Sequence, residues 1–358
     1  MNIRMAVASD KTAWDEYVDA HNDATPYHRF AWLLSIEQAY QHQNASLLAL
    51  IDDKVVGVLP CIKMRRPFSK IRYCALPFCD LGFGLANDAS ILKALQSEAL
   101  ALLQRGGGNS FDYRDSVNTT PDDELSGKKV RMVLPLPGDS EVLMASFKSK
   151  LRSQIRKAEK NGLTCVIANN QTQIDDFYQI FAINMRKLGS PVHSKKWFEC
   201  LFKHYAQRSI LSVVYSDSKP VGAGIVLRNA NKVAIPWAST VAEYNKLAPN
   251  MMLYWSLLEH VSNLGCAEFD FGRSTFDEGT YKFKRQWGAV PVPLAWSNLV
   301  PNLAPSQTTM AETITGSDNG SGDSKVNQIR TLVEKAWSKL PLGVTTTIGP
   351  KIRKHISL

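Results

Sequence analysis

The chain lacks the closely spaced ligand pairs that build metal centres. Its six cysteines, Cys61, Cys74, Cys79, Cys165, Cys200 and Cys266, are scattered among apolar neighbours with no Cys-x-x-Cys pair. That usage fits buried thiols in a reducing compartment and argues against a disulfide framework or a zinc site. The histidines show no His-x-x-x-His spacing, so no metal is expected. No apolar stretch reaches the length of a membrane-spanning helix, and Met1–Asp10 has no apolar run of signal-peptide type. A cytoplasmic location is the expectation. A helix-turn-helix or zinc signature is also missing, which leaves a nucleic-acid regulator with little but charge in its favour.

What is present is a normal globular composition, 44% hydrophobic and 21% charged, over 358 residues. That length accommodates two domains of ordinary size. The net charge of +9 favours anionic partners such as phosphorylated cofactors, RNA or an acidic membrane surface.

The order of elements repeats. In the first half, helices are expected near Thr12–His21 and Phe30–Tyr40. A hairpin of Ser46–Ile51 and Val55–Met64 follows, then a strand at Arg72–Leu76, a helix at Ala89–Arg105 and a strand at Phe111–Arg114. In the second half, helices are expected at 147–161, 172–188 and from Ser194. Strands follow at 210–215, 221–227 and 232–237, then a helix at 250–264 and a strand at 267–271. Lys54-Val55-Val56-Gly57 matches Lys219-Pro220-Val221-Gly222, and Phe111-Asp112-Tyr113-Arg114 matches Phe269-Asp270-Phe271-Gly272-Arg273. The reading is an α+β fold of two tandem domains with mixed sheets flanked by helices: 1–138 and 139–300. A linker over 301–324 and an amphipathic, basic helical tail over 325–358 follow. The tail either docks on the body or makes a peripheral contact with anionic lipid.

One stretch of the second half has no counterpart in the first. Ser274 to Gly288 packs Asp277, Glu278, Lys282, Lys284 and Arg285 around Tyr281, Phe283 and Trp287. Opposed charges against rings suit a site that holds a polar ligand on an apolar wall. Arg273 is suited to bidentate pairing with phosphate or carboxylate, or to a salt bridge with Asp277 or Glu278. Asp270 and Glu278 are candidate proton acceptors, although Asp270 sits in the shared strand motif and also reads as a fold residue. His193 is a candidate base or acceptor contact, or a structural histidine. The cations Lys148, Lys150, Arg152, Arg156, Lys157 and Lys160 make one helix either a polyanion surface or a solvated face.

Several motifs together resemble FemAB-type transferases. They are Leu151-Arg152-Ser153-Gln154-Ile155-Arg156-Lys157, Phe283-Lys284-Arg285-Gln286-Trp287-Gly288 and the duplication itself. Asn184-Met185-Arg186-Lys187, Pro236-Trp237-Ala238-Ser239-Thr240 and Glu243-Tyr244-Asn245 through Asn250 are similar to the FemAB-like proteins of exosortase (PEP-CTERM) and exopolysaccharide systems. The resemblance implies two tandem GNAT-type acyltransferase domains and transfer of an acyl or aminoacyl group to an amine. The donor would be acyl-CoA or aminoacyl-tRNA, with no tightly bound cofactor. The acceptor would be a lipid-linked glycan or peptide precursor, and tRNA would meet the basic helix. A non-catalytic glycan- or partner-binding protein of the same fold is the alternative. The resemblance puts Lys284 at the site, as donor to an oxyanion or phosphate. Lys282, two residues away on an expected strand, would share its face. Tyr281, Trp237 and Arg186 join the substrate-binding set, and Tyr244, Asn245 and Asn250 would line the donor site, with Asn250 also readable as a helix cap. The glycine-rich turn that cradles a CoA pyrophosphate has no equivalent in Tyr244 to Asn250.

Overall fold

A computed structural model describes residues 1–64, 71–117, 125–300 and 323–358. The expected linker falls almost wholly outside the described residues. Eleven strands form one mixed sheet in the order Leu163–Ile167, Ser209–Ser216, Lys219–Asn229, Lys232–Thr240, Glu268–Thr275, Lys129–Pro135, Val290–Leu299, Gly108–Ser116, Ile71–Cys74, Ile62–Met64, Gln43–Asn44. A second sheet holds Asn2–Met5, Leu47–Ile51, Lys54–Leu59 and Leu85–Ala86.

The internal repeat is visible in the topology. In each half a helix connects two strands that pair in parallel. Ala89–Arg105 lies between Ile71–Cys74 and Gly108–Ser116, and Pro249–Asn263 lies between Lys232–Thr240 and Glu268–Thr275. A helical crossover is the usual way to join parallel neighbours.

Two strands that the sequence pattern did not reveal join the halves. Lys129–Pro135 pairs antiparallel with Glu268–Thr275 of the second half. Val290–Leu299 pairs with Lys129–Pro135 through Val290 to Pro293 and with Gly108–Ser116 of the first half through Leu294 to Leu299. Prolines at 291 and 293 hid the latter strand, since proline argues against a central strand by removing a ladder donor.

Other boundaries shift for local reasons. The expected returning strand Val55–Met64 breaks at Pro60 into Lys54–Leu59 and Ile62–Met64, which belong to different sheets. The helix expected over 147–161 runs Ser149–Lys160, and a separate helix that was not expected, Ser140–Ser146, precedes it. In the longer one Leu151, Ile155 and Ala158 face the core, and Gly162 ends it at φ +76°. Helix Gln171–Lys187 is capped by Asn170, whose side chain accepts from the Gln173 N–H.

The halves share a core. Trp32 lies edge-on to Trp197 at 5.2 Å and stacks on Trp237 at 6.0 Å. Phe78, from the loop after Ile71–Cys74, packs on Trp197 at 5.4 Å and on His193 at 5.1 Å. Aromatic residues from both halves therefore form a continuous wall on one side of the strand pair described next.

Candidate functional site

The parallel strands Lys232–Thr240 and Glu268–Thr275 pair only at Lys232–Glu268, Val233–Phe269 and Ala234–Asp270, and then part. A local irregularity between Asp270 and Arg273 bends the second strand. Gly272 sits there at φ +73°, a conformation open to glycine without strain. The Asp270 carboxylate fixes the bend by accepting from the Gly272 N–H at 2.7 Å. Past the bend lies a cleft of about 400 Å³. Pro236, Trp237 and Ala238 form one wall and Phe271, Gly272 and Arg273 the other. Phe78 and Asp80 reach it from the first half, and Arg353 from the tail.

Lys284 enters this cleft from a short helix, Gly279–Arg285, not from a strand. Tyr281 and Lys284, three apart, are buried, while Lys282 and Arg285 are exposed. The expectation that Lys282 and Lys284 share a face is therefore overturned, because helical turning puts residues two apart on opposed sides. Lys282 pairs instead with Asp277 at 3.5 Å on the surface. The Lys284 Nζ donates to the carbonyls of Gly272 at 2.9 Å and Arg273 at 2.7 Å. An ammonium has three N–H groups, so one remains for a ligand. Burial lowers its pKa to about 8, opposed by the charges of Asp80 and Asp270 and reinforced by Arg273. Lys284 is thus a cation at neutral pH, held close to its titration point.

Arg273 is half-buried over the Trp296 ring, 5.1 Å from its centroid. Its partner is Asp80, with Nε 3.6 Å from Oδ1, and the Arg273 N–H donates to Asp80 Oδ2 at 3.2 Å. The expected salt bridge to Asp277 or Glu278 is not the one formed. Asp80 is the one acidic side chain that lines the cleft among the described residues. Nothing in its composition marked the loop Leu76–Gly84 as more than a connection, and Asp80 becomes visible only when the halves meet.

His193 also lines the cleft and is buried. Burial holds its pKa well below the ordinary histidine value, so the ring is neutral. The Tyr40 hydroxyl lies 2.7 Å from Nδ1 and accepts from the Ser194 N–H at 3.2 Å. The Tyr40 hydroxyl can direct its own proton at Nδ1, which places the histidine proton on Nε2. In this tautomer His193 offers an N–H donor rather than a base.

The remaining candidates are dispersed. Asp270 is buried and its pKa is raised by burial, with Arg131 at 3.2 Å counteracting. It lines a separate polar cavity of about 270 Å³ with Glu268, Asp115 and Lys232. Glu278 is exposed and precedes the short helix, away from the cleft lining. Tyr281 packs on Phe276 and accepts from Arg285 at 2.6 Å. Trp237 is a cleft wall. Arg186 donates to the Leu340 carbonyl at 3.4 Å and so faces the tail. Tyr244 packs against the second core, Asn245 is exposed, and Asn250 is exposed as the second residue of helix Pro249–Asn263 with no capping bond. None of these last three lines the cleft. The cations Lys148, Lys150, Arg156, Lys157 and Lys160 are exposed along helix Ser149–Lys160 and just before it.

Among the described residues no cluster of metal-ligating side chains occurs, and no helix is long and apolar enough to cross a membrane. The tail forms helices Asp323–Lys339 and Leu342–Arg353. Leu332 and Val333 are exposed, while Trp337 and Leu340 are half-buried.

Residues 145–285 match the model of the acetyltransferase (GNAT) domain. No curated protein matches the chain in sequence. Among solved structures, the fold is similar to that of FemX, with a TM-score of 0.64 at 12% identity over 84% of this chain and 98% of that one. It is similar to a conserved protein of unknown function from Bacteroides thetaiotaomicron, TM-score 0.57 at 11% identity, covering 84% and 99%. A tandem GNAT protein from the clavulanic acid biosynthesis pathway gives 0.51 at 11% identity, covering 85% and 99%. The architecture is that of tandem GNAT-like domains with a helical C-terminal region.

Proposed function

We propose that the cleft between the parted strands is an N-acyltransfer site, in which an activated acyl or aminoacyl group passes to an amine. The observation that carries this reading is Lys284: a buried ammonium with two N–H groups held by carbonyls and a third free to meet an oxyanion. Acyl transfer to nitrogen needs such a donor where charge develops, and a pre-oriented one in a low-dielectric cleft is worth about 2.7–4 kcal/mol of barrier. In the step, a neutral amine forms a C–N bond to the donor carbonyl and the carbonyl oxygen becomes anionic against Lys284. The His193 N–H is a second donor in the same cleft. Asp80 takes the amine proton, and the C–S or C–O bond to the leaving group breaks as the carbonyl reforms.

Acyl-CoA is the co-substrate suggested by the GNAT match. An aminoacyl-tRNA donor is favoured by one specific feature. Helix Pro249–Asn263 begins with a proline, preceded by Ala248 at φ +62° and no glycine. Pro249 has no N–H, so this helix end offers a pyrophosphate one donor fewer than usual. The exposed cations of helix Ser149–Lys160 supply a surface for the polyanion. The acceptor we favour is an amine of a cell-envelope or exopolysaccharide precursor, lipid-linked and met at the membrane surface with help from the tail. Calorimetric titration separates the donors: micromolar binding of acetyl-CoA supports the CoA branch. Salt-dependent tRNA binding that is lost in Arg156→Glu supports the tRNA branch, and tRNA binding that persists in that variant removes the basic helix from it.

A further inference from the structure

Arg353 lies outside both repeated halves, at the end of helix Leu342–Arg353, yet it lines the cleft with Arg273 and Lys284. We propose that Arg353 is a ligand-binding residue, and that the three cations together hold a phosphate or carboxylate group of the bound reactant. This deepens the reading of the same cleft and rests on it for the ligand being a reactant.

The tail is anchored on both sides of Arg353. Before it, Gly349 packs so closely on Val192 that an added Cβ would lie 3.0 Å from the Val192 nitrogen. After it, the Ser357 carbonyl accepts from the Phe78 N–H at 2.6 Å and from Arg114 at 3.2 Å. The Lys354 carbonyl lies 2.7 Å from His42 Nε2. These contacts reach the second half at Val192 and the first half at His42, Phe78 and Arg114. The strap therefore delivers Arg353 to a fixed place between them.

The guanidinium placed there has no acidic side chain paired with it among the described residues. It lies over the Phe78 ring at 5.6 Å and donates to the Ile356 carbonyl at 2.9 Å. It forms no ion pair among the described residues, whereas Arg273 has Asp80. Burial lowers its pKa to about 10, and the like charges of Arg114 and Arg273 push the same way, against a favourable effect of Tyr40. Three cationic side chains and one acidic side chain line the cleft, with a neutral histidine. A half-buried arginine beside like charges is costly unless an anion joins it, and its planar fork suits the paired oxygens of phosphate or carboxylate.

The test uses the full chain and no turnover. Tryptophan fluorescence, with Trp237 in the wall and Trp296 under Arg273, is followed while sodium pyrophosphate or, separately, sodium malonate is added. Saturable binding of at least one anion is expected, and which one saturates tells a phosphate-bearing reactant from a carboxylate-bearing one. Arg353→Gln is expected to weaken it about tenfold or more, and Lys351→Gln, exposed on the same helix, to leave it unchanged. No saturation of the native protein by either anion, or equal affinity in Arg353→Gln, overturns the proposal. A second measurement covers misfolding of the variant. Phenylglyoxal labelling of Arg353 in the native protein, read by peptide mass spectrometry, is expected to slow in the saturating anion, and unchanged labelling overturns the proposal. Anion binding that persists in a protein without acyl transfer would refute the functional reading and leave this subsite standing. Acyl transfer without Arg353-dependent anion binding would do the reverse.

Discussion

Lys284 carries a desolvation cost that, under the proposed function, developing negative charge offsets. Its ammonium is kept charged at neutral pH in a site that lowers its pKa from 10.5 to about 8. The proposed role needs the cation, so acyl transfer should show a descending limb as pH rises through about 8, read from a pH–rate profile, and Lys284→Met should lack that limb. The stability effect has the opposite sense. Below about 8 the lysine is charged in both states and its desolvation penalty is fully present. Between about 8 and 10.5 the unfolded chain binds the proton that the folded chain has released, so stability gains with pH. The stability of the native protein relative to Lys284→Met should therefore rise across that window in denaturant titrations. Lys284 was legible in the sequence through the motif around it. As parts of the candidate cleft, Asp80 and Arg353 were not, because each meets Arg273 only across the fold and no local pattern encodes such a meeting.

At the scale of elements, helical turns and close packing set the site. Lys282 and Lys284 would share a face on a strand, yet Gly279–Arg285 is a helix in which Tyr281 and Lys284 are buried at helical spacing. A seven-residue helix gives too short a pattern for periodicity to decide. The long helices were more legible: Ala89–Arg105 begins and ends where expected, with Asp88 capping it through Ser90 and Ile91. Tail docking offers an element-scale prediction. Gly189 sits at φ +70°, and an added Cβ would meet the Glu334 carbonyl at 2.6 Å. Gly189→Ala combines backbone strain with that clash and should cost about 1–3 kcal/mol, measured as a lowered denaturant midpoint. Faster proteolysis after residue 322 should accompany it; a tail as protected as in the native protein would contradict the docking.

The whole molecule is two repeats that do not stand apart. The duplication was legible from matched short motifs, but the strands that bind the halves, Lys129–Pro135 and Val290–Leu299, were hidden. The second of these strands carries two prolines. Through them one sheet runs across both halves, and the cluster of Trp32, Trp197 and Trp237 closes the other side. A shared sheet and core predict one cooperative unfolding transition, with the calorimetric enthalpy equal to the van't Hoff value. Two resolved transitions would mean that the halves are energetically separate. Trp32→Ala, which empties a fully buried site touching both halves, should cost about 3–5 kcal/mol and keep a single transition.

The shared cleft is where these scales converge, and product formation tests it most directly. The native protein and Lys284→Met are incubated with acetyl-CoA or with aminoacyl-tRNA, together with peptide and amino-sugar amines and a lipid-linked glycan, and the products are weighed by mass spectrometry. The account predicts an amine heavier by the donor's acyl group, formed about 10²–10³ times more slowly by Lys284→Met. Product formed equally fast by that variant, or no acylated amine from either donor, would contradict it.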